Sequence, residues 1–312
     1  MAEESGIVLE SPVMGDLERV SGLIRACEEA DQGEAESTVG DLRGVWNGTT
    51  FDLSRDTWLV RRADGEPIGY GHVRSREEGR RFEGFGYTHP GERGNGIGTK
   101  LVRAMESRAR EGSGPAVLGT VINHTNDGAR GLLADHGFEE MRNYWQMRID
   151  LGGGVPAPEW PDGVTVRTFR AGADEEAIHT LVQETFAESF GFVATPFEEW
   201  THTMMGVESF DPRLWFVATS GEEIVGAALC PDYEDEGWVR QLAVRREWRR
   251  RGVGTALLRH AFAEFGLRGR TRTGLVVDSY NRTGARAVYE EVGMRVHRQY
   301  DGWDKELVVS SQ

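Results

Sequence analysis

The sequence predicts a mixed α/β fold of the α+β class, built as two tandem domains. A motif at Arg93-x-x-Gly96-x-Gly98 recurs as Arg249-x-x-Gly252-x-Gly254, at an offset of 156 residues. Strand-like runs alternate with amphipathic helical runs in each copy. A glycine- and proline-rich segment, "GGGVPAPEWPDG", lies between the copies and is typical of a linker. We therefore predict domains at residues 1–151 and 163–312, joined by a linker at residues 152–162.

Further matches support an internal duplication. The offset of 156 also pairs Gly128-Ala129-Arg130 with Gly284-Ala285-Arg286. Upstream of the glycine motif the offset becomes 157 and pairs Trp58 with Trp215. A one-residue insertion between the two regions accounts for the change. Ordered matches over half a chain indicate two copies of one structural unit.

The elements of the second copy follow from periodicity and turn residues. In order, the runs predict a strand "VTVRTF", a helix "EEAIHTLVQETF", two strands in "LWFVATSGEEIVGAALC", a strand "GWVRQLAV", a helix "GVGTALLRHAFAEFG", a strand "TGLVVDS", a helix "GARAVYEEVG" and one or two strands in "RVHRQYDGWDKEL". Val253, Leu257, Ala261 and Phe265 form one apolar stripe of the long helix. The first copy repeats this order, with Ile97, Leu101, Met105 and Ala109 on the matching stripe.

Composition excludes several classes of protein. A net charge of −15 argues against a nucleic-acid surface, because phosphates repel it. We expect no membrane span, since no apolar run reaches the length of a transmembrane helix, and no secretory signal, since the first residues are acidic. Cys27 and Cys230 are the only cysteines, which predicts a reduced, cytoplasmic protein. No metal-ligand spacing is present, and we expect a monomer or a homodimer without a metal.

The glycine motifs resemble anion-binding loops. A strand, a glycine-rich loop and a helix together present unpaired helix amides and the positive end of the helix dipole. Arginines beside the loop add charge-assisted contacts to a diphosphate. The spacing fits neither the dinucleotide fingerprint nor the P-loop, because the third glycine and the Gly-Lys-Ser/Thr end are missing. The alternative is a tight strand-to-helix turn with solvated arginines.

The R-x-x-G-x-G motif that opens an amphipathic helix resembles motif A of the GCN5-related N-acetyltransferase (GNAT) family. The segment "NRTGARAVYEEVGM" at residues 281–294 resembles the next motif of the family, with Asn281, Ala285, Val288-Tyr289 and Gly293-Met294 at its positions. The tandem arrangement is similar to that of the mycothiol synthases. The resemblance covers nearly the whole chain.

This resemblance implies two tandem GNAT-type domains, each a splayed mixed sheet flanked by helices, with acetyl-CoA as cosubstrate. In the second copy it implies that the coenzyme contacts Leu242, Ala243, Val244, Arg249, Arg250, Arg251, Gly252, Val253, Gly254, Thr255 and Asn281. In the first copy the corresponding residues are Tyr87, Thr88, Arg93, Gly94, Asn95, Gly96, Ile97, Gly98 and Thr99. Whether the first copy binds acetyl-CoA is left open.

The resemblance also places catalysis in the second copy. Tyr289 stands where the family has the acid that protonates the departing thiolate, whereas the first copy has Leu133, which cannot donate a proton. The N-terminal domain is therefore interpreted as a degenerate partner. The alternative for Tyr289 is an aromatic residue of the core.

The general base is not identified by the motifs. The mycothiol synthases carry a glutamate on the fourth strand, where this chain has Trp238. Glu236, beside Glu234 and Asp235, and Asp278 at the end of the fifth strand are the candidates. The alternative is that each is a solvated loop acid.

The acceptor is predicted to be the primary amine of a small molecule. Its pocket is expected in residues 184–200, and the predicted contacts are Phe190, Phe192, Glu198, Glu199 and Trp200, together with Trp238. Aromatic rings with carboxylates suit a cationic amine, although the same rings could form a core. Three alternatives remain open: acetylation of a cysteinyl glycoside as in mycothiol synthase, acetylation of a protein amine, and a non-catalytic acyl-CoA-binding protein.

Overall fold

The computed structural model describes residues 8–48, 50–76, 79–112, 114–189, 191–233, 236–280 and 284–307. The chain forms two compact units. Unit 1 comprises Met1–Asn143 and Tyr300–Gln312, and unit 2 comprises Tyr144–Gln299. Both units combine helices with β-strands, and each contains a parallel as well as antiparallel strand pairs, which confirms the predicted fold class.

Unit 1 holds the elements of the first copy. They are α1 (Leu17–Gln32), α2 (Val39–Trp46), β1 (Thr57–Arg61), β2 (Pro67–Arg76), β3 (Arg81–Thr88), α3 (Ile97–Ala109), β4 (Ala116–Asn123) and α4 (Asp127–Asp135). The sheet order is β1, β2, β3, β4 and the last half of a strand from the end of the chain. Neighbours are antiparallel except β3 and β4, which run parallel.

The sheet of unit 1 opens between its two parallel strands. Strand β3 pairs with β4 only where Arg81–Glu83 faces Val117–Gly119. Beyond Glu83, β3 stays paired with β2 as far as Thr88. The two strands therefore diverge and leave a V-shaped gap that ends beside the glycine loop.

Unit 2 contains β5 (Glu139–Asp150) from Tyr144 onward and the elements of the second copy. These are β6 (Val164–Thr168), α5 (Glu175–Phe186), α6 (Phe197–Met205), β7 (Trp215–Ser220), β8 (Glu223–Leu229), β9 (Gly237–Trp238), β10 (Gln241–Val244), α7 (Val253–Leu267), β11 (Arg272–Asp278), α8 (Ala285–Glu291) and the first half of β12 (Arg295–Leu307). Strands β6, β7, β8 and β10 form one sheet, whereas β9, β11 and β5 pair in another.

The last strand of each copy pairs with a strand of the other copy. Residues Tyr144–Asp150 of β5 pair with β11 in unit 2, and Tyr300–Leu307 of β12 pair with β4 in unit 1. The glycine- and proline-rich composition of a linker indicates where the chain can turn, but it does not indicate which strands pair with each other. The domain boundaries at 151 and 163 therefore stay a prediction about separable domains.

Each unit buries apolar side chains on both faces of its sheet. In unit 1 the predicted stripe of α3 is buried on one face, and Trp46, Leu59 and Tyr70 pack under α1 and α2 on the other. In unit 2 the stripe of α7 is almost fully buried: Val253 and Phe265 are 1% exposed. Both amphipathic helices predicted from four-residue spacing are confirmed.

Candidate active site

The loop before α3 has the backbone of an anion-binding turn. Gly94 and Gly96 adopt φ of +84° and +82°, in the left-handed region that favours glycine. Gly96 is the N-cap of α3, so the first amides of the helix begin directly after it. An anionic group beside this turn would be stabilised by those amides and by the helix dipole.

The loop of unit 2 has the same geometry with one strained residue. Gly252 caps α7 with φ of +87°. Arg250, which corresponds to Gly94 of the first copy, has φ of +59° and is the one non-glycine residue with positive φ in the described part of the chain. A side chain in this conformation costs about 1–2 kcal/mol. Strain of this kind persists where the surrounding structure requires the backbone direction.

A cavity of about 560 Å³ lies in the gap of unit 1. Its lining includes Arg93 and Gly96 of the glycine loop, Asp31 of α1, Tyr87 on β3 and Asn123 on β4. An elongated ligand with an anionic end fits this arrangement.

Most of the coenzyme residues predicted for the first copy line this cavity. They are Tyr87, Thr88, Arg93, Gly94, Gly96, Ile97, Gly98 and Thr99. Asn95 does not line it, and its side-chain amide donates to Glu92 Oε2 at 3.2 Å. Burial raises the pKa of the Tyr87 hydroxyl, and the nearby Glu28 carboxylate raises it further.

An acid–arginine pair occurs at both glycine loops. Arg93 Nη1 donates to Asp31 Oδ1 at 2.7 Å in unit 1. Arg249 Nη1 donates to Glu188 Oε2 at 3.2 Å in unit 2. Asp31 and Glu188 are related by the offset of 157, so the pairing belongs to the repeat itself. The sequence prediction missed Asp31, and it placed Glu188 only among the acids of the acceptor segment 184–200, although extending the repeat alignment upstream would have matched the two.

Asp31 also contacts the opposite wall of the gap. Its Oδ2 accepts from Asn126 Nδ2 at 2.9 Å, and Asn126 Oδ1 in turn accepts from the Ala129 amide at 2.9 Å. Asn126 is thus the N-cap of α4. The asparagine three residues before Ala129 was a sequence signal for this N-cap, and the sequence prediction did not use it.

The fourth strand of unit 2 changes partners at one residue. The Val239 amide donates to Gly274 on β11 at 2.9 Å, whereas the next amide, that of Arg240, donates to Leu229 on β8 at 3.0 Å. From there β10 pairs with β8, with Leu242 opposite Ala228. The two sheets of unit 2 therefore separate at Arg240, as β3 and β4 separate in unit 1.

A family comparison agrees with this geometry. The family model described as Acetyltransferase (GNAT) family matches residues 23–138 and 176–294, which is most of the chain and one match per copy. The chain belongs to the GNAT acetyltransferase family. It is therefore an acyltransferase enzyme, and the predicted tandem GNAT architecture is confirmed.

Relatives resemble the chain over nearly its full length. A mycothiol acetyltransferase from Geodermatophilus obscurus is 29% identical, covering 94% of this chain and 98% of that protein. Another mycothiol acetyltransferase, from Thermobispora bispora, is 30% identical over 92% of this chain and 94% of its own length.

Solved structures show the same tandem architecture. A GCN5-related N-acetyltransferase from Sphaerobacter thermophilus superposes with a TM-score of 0.81 at 34% identity, covering 97% of this chain and 96% of that chain. A tandem GNAT protein from the clavulanic acid biosynthesis pathway has a TM-score of 0.73 at 17% identity, over 96% and 98% of the two chains. The second likeness concerns the fold alone.

The residues present fit an acyl-CoA. In unit 1 the phosphates would meet the loop amides and Arg93, and the pantetheine arm would lie between β3 and β4, along the cavity. In unit 2 the corresponding groups would be Arg249 and the α7 N-terminus, and the arm would run along the strand that carries Leu242 and Val244. Acyl-CoA use by this GNAT chain follows from its family and from these two loops.

The remaining predicted coenzyme residues of unit 2 are placed around the loop. Val253 is buried, Gly254 and Thr255 are half-buried at the start of α7, and Ala243 is fully buried in β10. The Arg251 guanidinium lies 5.1 Å from the centre of the Trp248 ring. Asn281 lies outside the described residues.

Tyr289 is a buried residue of α8. It is 8% exposed and belongs to the core cluster that includes Leu257 and Met294. Burial raises the pKa of its hydroxyl to about 12, so the group stays protonated at neutral pH. Leu133 is buried at the equivalent place in unit 1, where it lines the cavity.

The two candidate bases differ in their surroundings. Glu236 Oε2 accepts from Arg272 Nε at 3.0 Å and lies 3.5 Å from Arg148 Nη2. Asp278 ends β11, and its Oδ1 accepts from the Tyr280 amide at 2.8 Å. The Trp238 ring lies against Gly274, where a Cβ atom would come within 2.7 Å of Cζ3. Glu234 and Asp235 lie outside the described residues.

The predicted acceptor residues are spread between core and surface. Trp200 is 3% exposed, and its ring centre lies 5.8 Å from that of Trp215 in the core of unit 2. Phe192 and Glu199 are half-buried, and Glu198 is exposed on the first turn of α6. Phe190 lies outside the described residues. Trp200 therefore belongs to the core, whereas Phe192, Glu198 and Glu199 reach the surface.

Two further searches concern membranes and metals. In the described ranges, no helix combines the length and the apolar character that a membrane span requires. Across the part of the chain that the structure describes, no three His, Cys, Asp or Glu side chains are grouped to hold a metal ion.

Proposed function

We propose that the protein is an acetyl-CoA-dependent N-acetyltransferase that acts on the primary amine of a small molecule, with catalysis in unit 2. One observation supports this assignment most strongly. The two glycine loops match in sequence and backbone, but only unit 2 has a hydroxyl, that of Tyr289, where unit 1 has Leu133. From this position of the repeat, a leaving thiolate could receive a proton in unit 2 alone.

The reaction needs few groups from the chain. The amine nitrogen attacks the thioester carbonyl carbon, the carbon–sulfur bond breaks, and the thiolate takes a proton. We infer that an amide of β10, beyond the separation point at Arg240, stabilises the oxyanion. The raised pKa of Tyr289 keeps its proton available for the departing sulfur.

The proton of the amine goes to a base or to water. Glu236 is a poor candidate, because two arginines hold its carboxylate in ion pairs. Asp278 is the better candidate of the two, since it ends the strand that borders the gap. We infer that it acts through water and that the acceptor enters from the side opposite α7.

We propose a small cationic amine as the acceptor. Glu198 and Glu199 lie in the first turn of α6, which also carries the buried Trp200. The net charge of −15 would attract a cation over long range, and the local carboxylates would retain it. Polyamines, aminoglycosides and amino-acid derivatives belong to this class.

The names of the relatives favour a second candidate. Proteins called mycothiol acetyltransferases match more than nine-tenths of the chain, which favours acetylation of a cysteinyl glycoside. Trp238 counts against this acceptor, because a tryptophan cannot replace a glutamate as a base. The two candidates differ in the acceptor and not in the use of acetyl-CoA.

A thiol-release assay tests the proposal. The full chain is mixed with acetyl-CoA and a panel of polyamines, aminoglycosides, amino-acid derivatives, a cysteinyl glycoside and peptide amines, and free thiol is followed. We expect turnover with a small amine that is lost in Tyr289→Phe and kept in Leu133→Tyr. Turnover with the peptides alone, or loss of activity only through unit 1 variants, would contradict the proposal.

A further inference from the structure

A buried amide oxygen lacks a hydrogen-bond partner at the point where the fourth strand of unit 2 changes sheets. Gln241 is the first residue of β10 and directly follows Arg240, at which the two sheets separate. Its Oε1 is buried and accepts no hydrogen bond from any residue that the structure describes. An unpaired acceptor of this kind destabilises the folded chain, and a ligand that donates a hydrogen bond to it would remove that cost.

The side chain of Gln241 belongs to the face of its sheet that packs against α5 and α6. Ala243, two residues further along β10, is buried in the core cluster that includes Ile178 of α5 and Trp200 of α6. Because side chains alternate along a strand, Gln241 shares that face, whereas Leu242 packs against the core cluster of α7. This face is the side opposite α7, from which the acceptor is inferred to enter.

The repeat shows which side chain takes this position in unit 1. The offset of 156 pairs Gln241 with Phe85. The strand register places Gln241 opposite Leu229, just as it places Phe85 opposite His72. In unit 1 the rings of Phe85 and His72 stack, with centres 5.0 Å apart and planes at 21°. The aligned side chain of unit 1 is therefore an apolar ring covered by a second ring, whereas that of unit 2 is an amide with an unpaired oxygen.

A primary amine supplies the donor that Gln241 lacks. One N–H of the amine can donate to Oε1 while the lone pair of the nitrogen stays directed at the thioester carbonyl. The amide oxygen is neutral, so it does not favour the protonated ammonium form as a carboxylate would. Since the ammonium form has no lone pair for attack, a neutral acceptor at the separation point suits a nucleophile that must be deprotonated.

We propose that Gln241 binds the amine of the acceptor through Oε1 and orients it for attack on the thioester. This inference rests on the proposed function, because it assigns a positioning residue to the acceptor side of that same site. Phe85 offers no hydrogen-bond acceptor at the aligned position of unit 1. Gln241 therefore adds a second chemical difference between the units to the one between Tyr289 and Leu133.

Steady-state kinetics on the full chain test this role with the small amine that the wild type turns over. Gln241→Met keeps the length of the side chain and removes the hydrogen-bond acceptor. We expect kcat/KM for the amine to fall about 5- to 150-fold, while the Kd of acetyl-CoA changes by less than about threefold. Phe85→Leu, at the aligned position of unit 1, is the matched control and should leave kcat/KM for the amine within about twofold.

Two further readouts distinguish amine binding from a structural role of Gln241. In Gln241→Glu the carboxylate would raise the pKa of the bound amine, so the pH of half-maximal rate should shift upward by about 1 unit or more. Without ligand, the Tm of Gln241→Met should equal that of the wild type or exceed it by up to about 4 °C, because the variant removes an unpaired buried oxygen. A structural role predicts a lower Tm and no shift of the pH profile.

The contrary results separate this inference from the proposed function. Turnover of an amine by the wild type that Gln241→Met leaves unchanged would overturn this inference alone, and so would a fall in the Tm of Gln241→Met. Absence of turnover with every amine of the panel would overturn the proposed function and this inference with it. A lower kcat/KM with an unchanged Kd of acetyl-CoA and an upward shift of the pH profile in Gln241→Glu would support the inference.

Discussion

Tyr289 and Leu133 occupy equivalent buried positions, and the difference of one hydroxyl separates the two units. Replacing Tyr289 by phenylalanine removes the proton donor and keeps the ring that packs in the core. We expect kcat to fall about 10- to 1000-fold, within or just below the range for lost acid–base catalysis, and the Kd of acetyl-CoA to stay within about threefold. Steady-state kinetics with calorimetry measures both.

The pH profile supplies a second readout for this tyrosine. Because burial raises its pKa to about 12, the acid form persists well above neutral pH. The wild-type rate should show no loss from tyrosine ionisation below about pH 10, the ordinary pKa. An unchanged kcat in Tyr289→Phe would return the residue to a purely structural role.

Arg250 is a single residue at which the loop costs stability. Its φ of +59° is left-handed, where the first copy has Gly94. Arg250→Gly removes about 1–2 kcal/mol of strain but adds about 0.5–1 kcal/mol to the entropy cost of folding. We expect the free energy of unfolding to rise by up to about 1.5 kcal/mol, measured by urea denaturation. Gly94→Ala in unit 1 is the matched reverse change and should lower the free energy of unfolding. A loss of stability in Arg250→Gly would contradict the inference that the backbone at Arg250 is strained.

At the scale of elements, an acid from the first helical region is tied to each glycine loop. Asp31 and a coenzyme phosphate would compete for Arg93, and the carboxylate would repel the phosphate as well. The pair is partly exposed, so its worth is about 0.2–1 kcal/mol. We expect Asp31→Asn to tighten CoA binding to unit 1 by about two- to fivefold.

The repeat provides the matched experiment for this pairing. Glu188→Gln should produce the same direction of change at unit 2, and each variant should leave the other unit unaltered in calorimetric titrations with CoA. Weaker binding in either variant would show that the acid positions the arginine instead of competing for it. Competition predicts a lower Kd for CoA and positioning predicts a higher Kd, so one titration decides between them.

At the scale of the whole molecule, the net charge of −15 bears on the acceptor. Attraction between an acidic protein and a cationic amine is screened over about 10 Å at 0.1 M salt. We therefore expect kcat/KM to fall as salt rises, and Glu198→Gln with Glu199→Gln to raise KM more than it lowers kcat. Initial rates from low to high salt measure this. A salt-independent KM or a preferred anionic acceptor would make the acidic surface a matter of solubility.

Much of the fold could be predicted from local patterns. The repeat, the glycine loops and the apolar stripes of α3 and α7 depend on residues close in sequence, because helix periodicity and left-handed turns are local properties of the chain. The contrast between Tyr289 and Leu133 could also be read from the sequence, because aligning the two copies places these residues at the same position. Family membership followed from those local motifs.

The sequence by itself determined the duplication, the family and the loops that would hold the coenzyme. Only the tertiary structure decided which strand ends complete each unit, that Trp200 packs into a core, and that Glu236 is held by Arg148 and Arg272. It also revealed the cavity in the gap of unit 1. These features depend on side chains far apart in the chain, whose contact is set by sheet register and packing and leaves no mark on local periodicity.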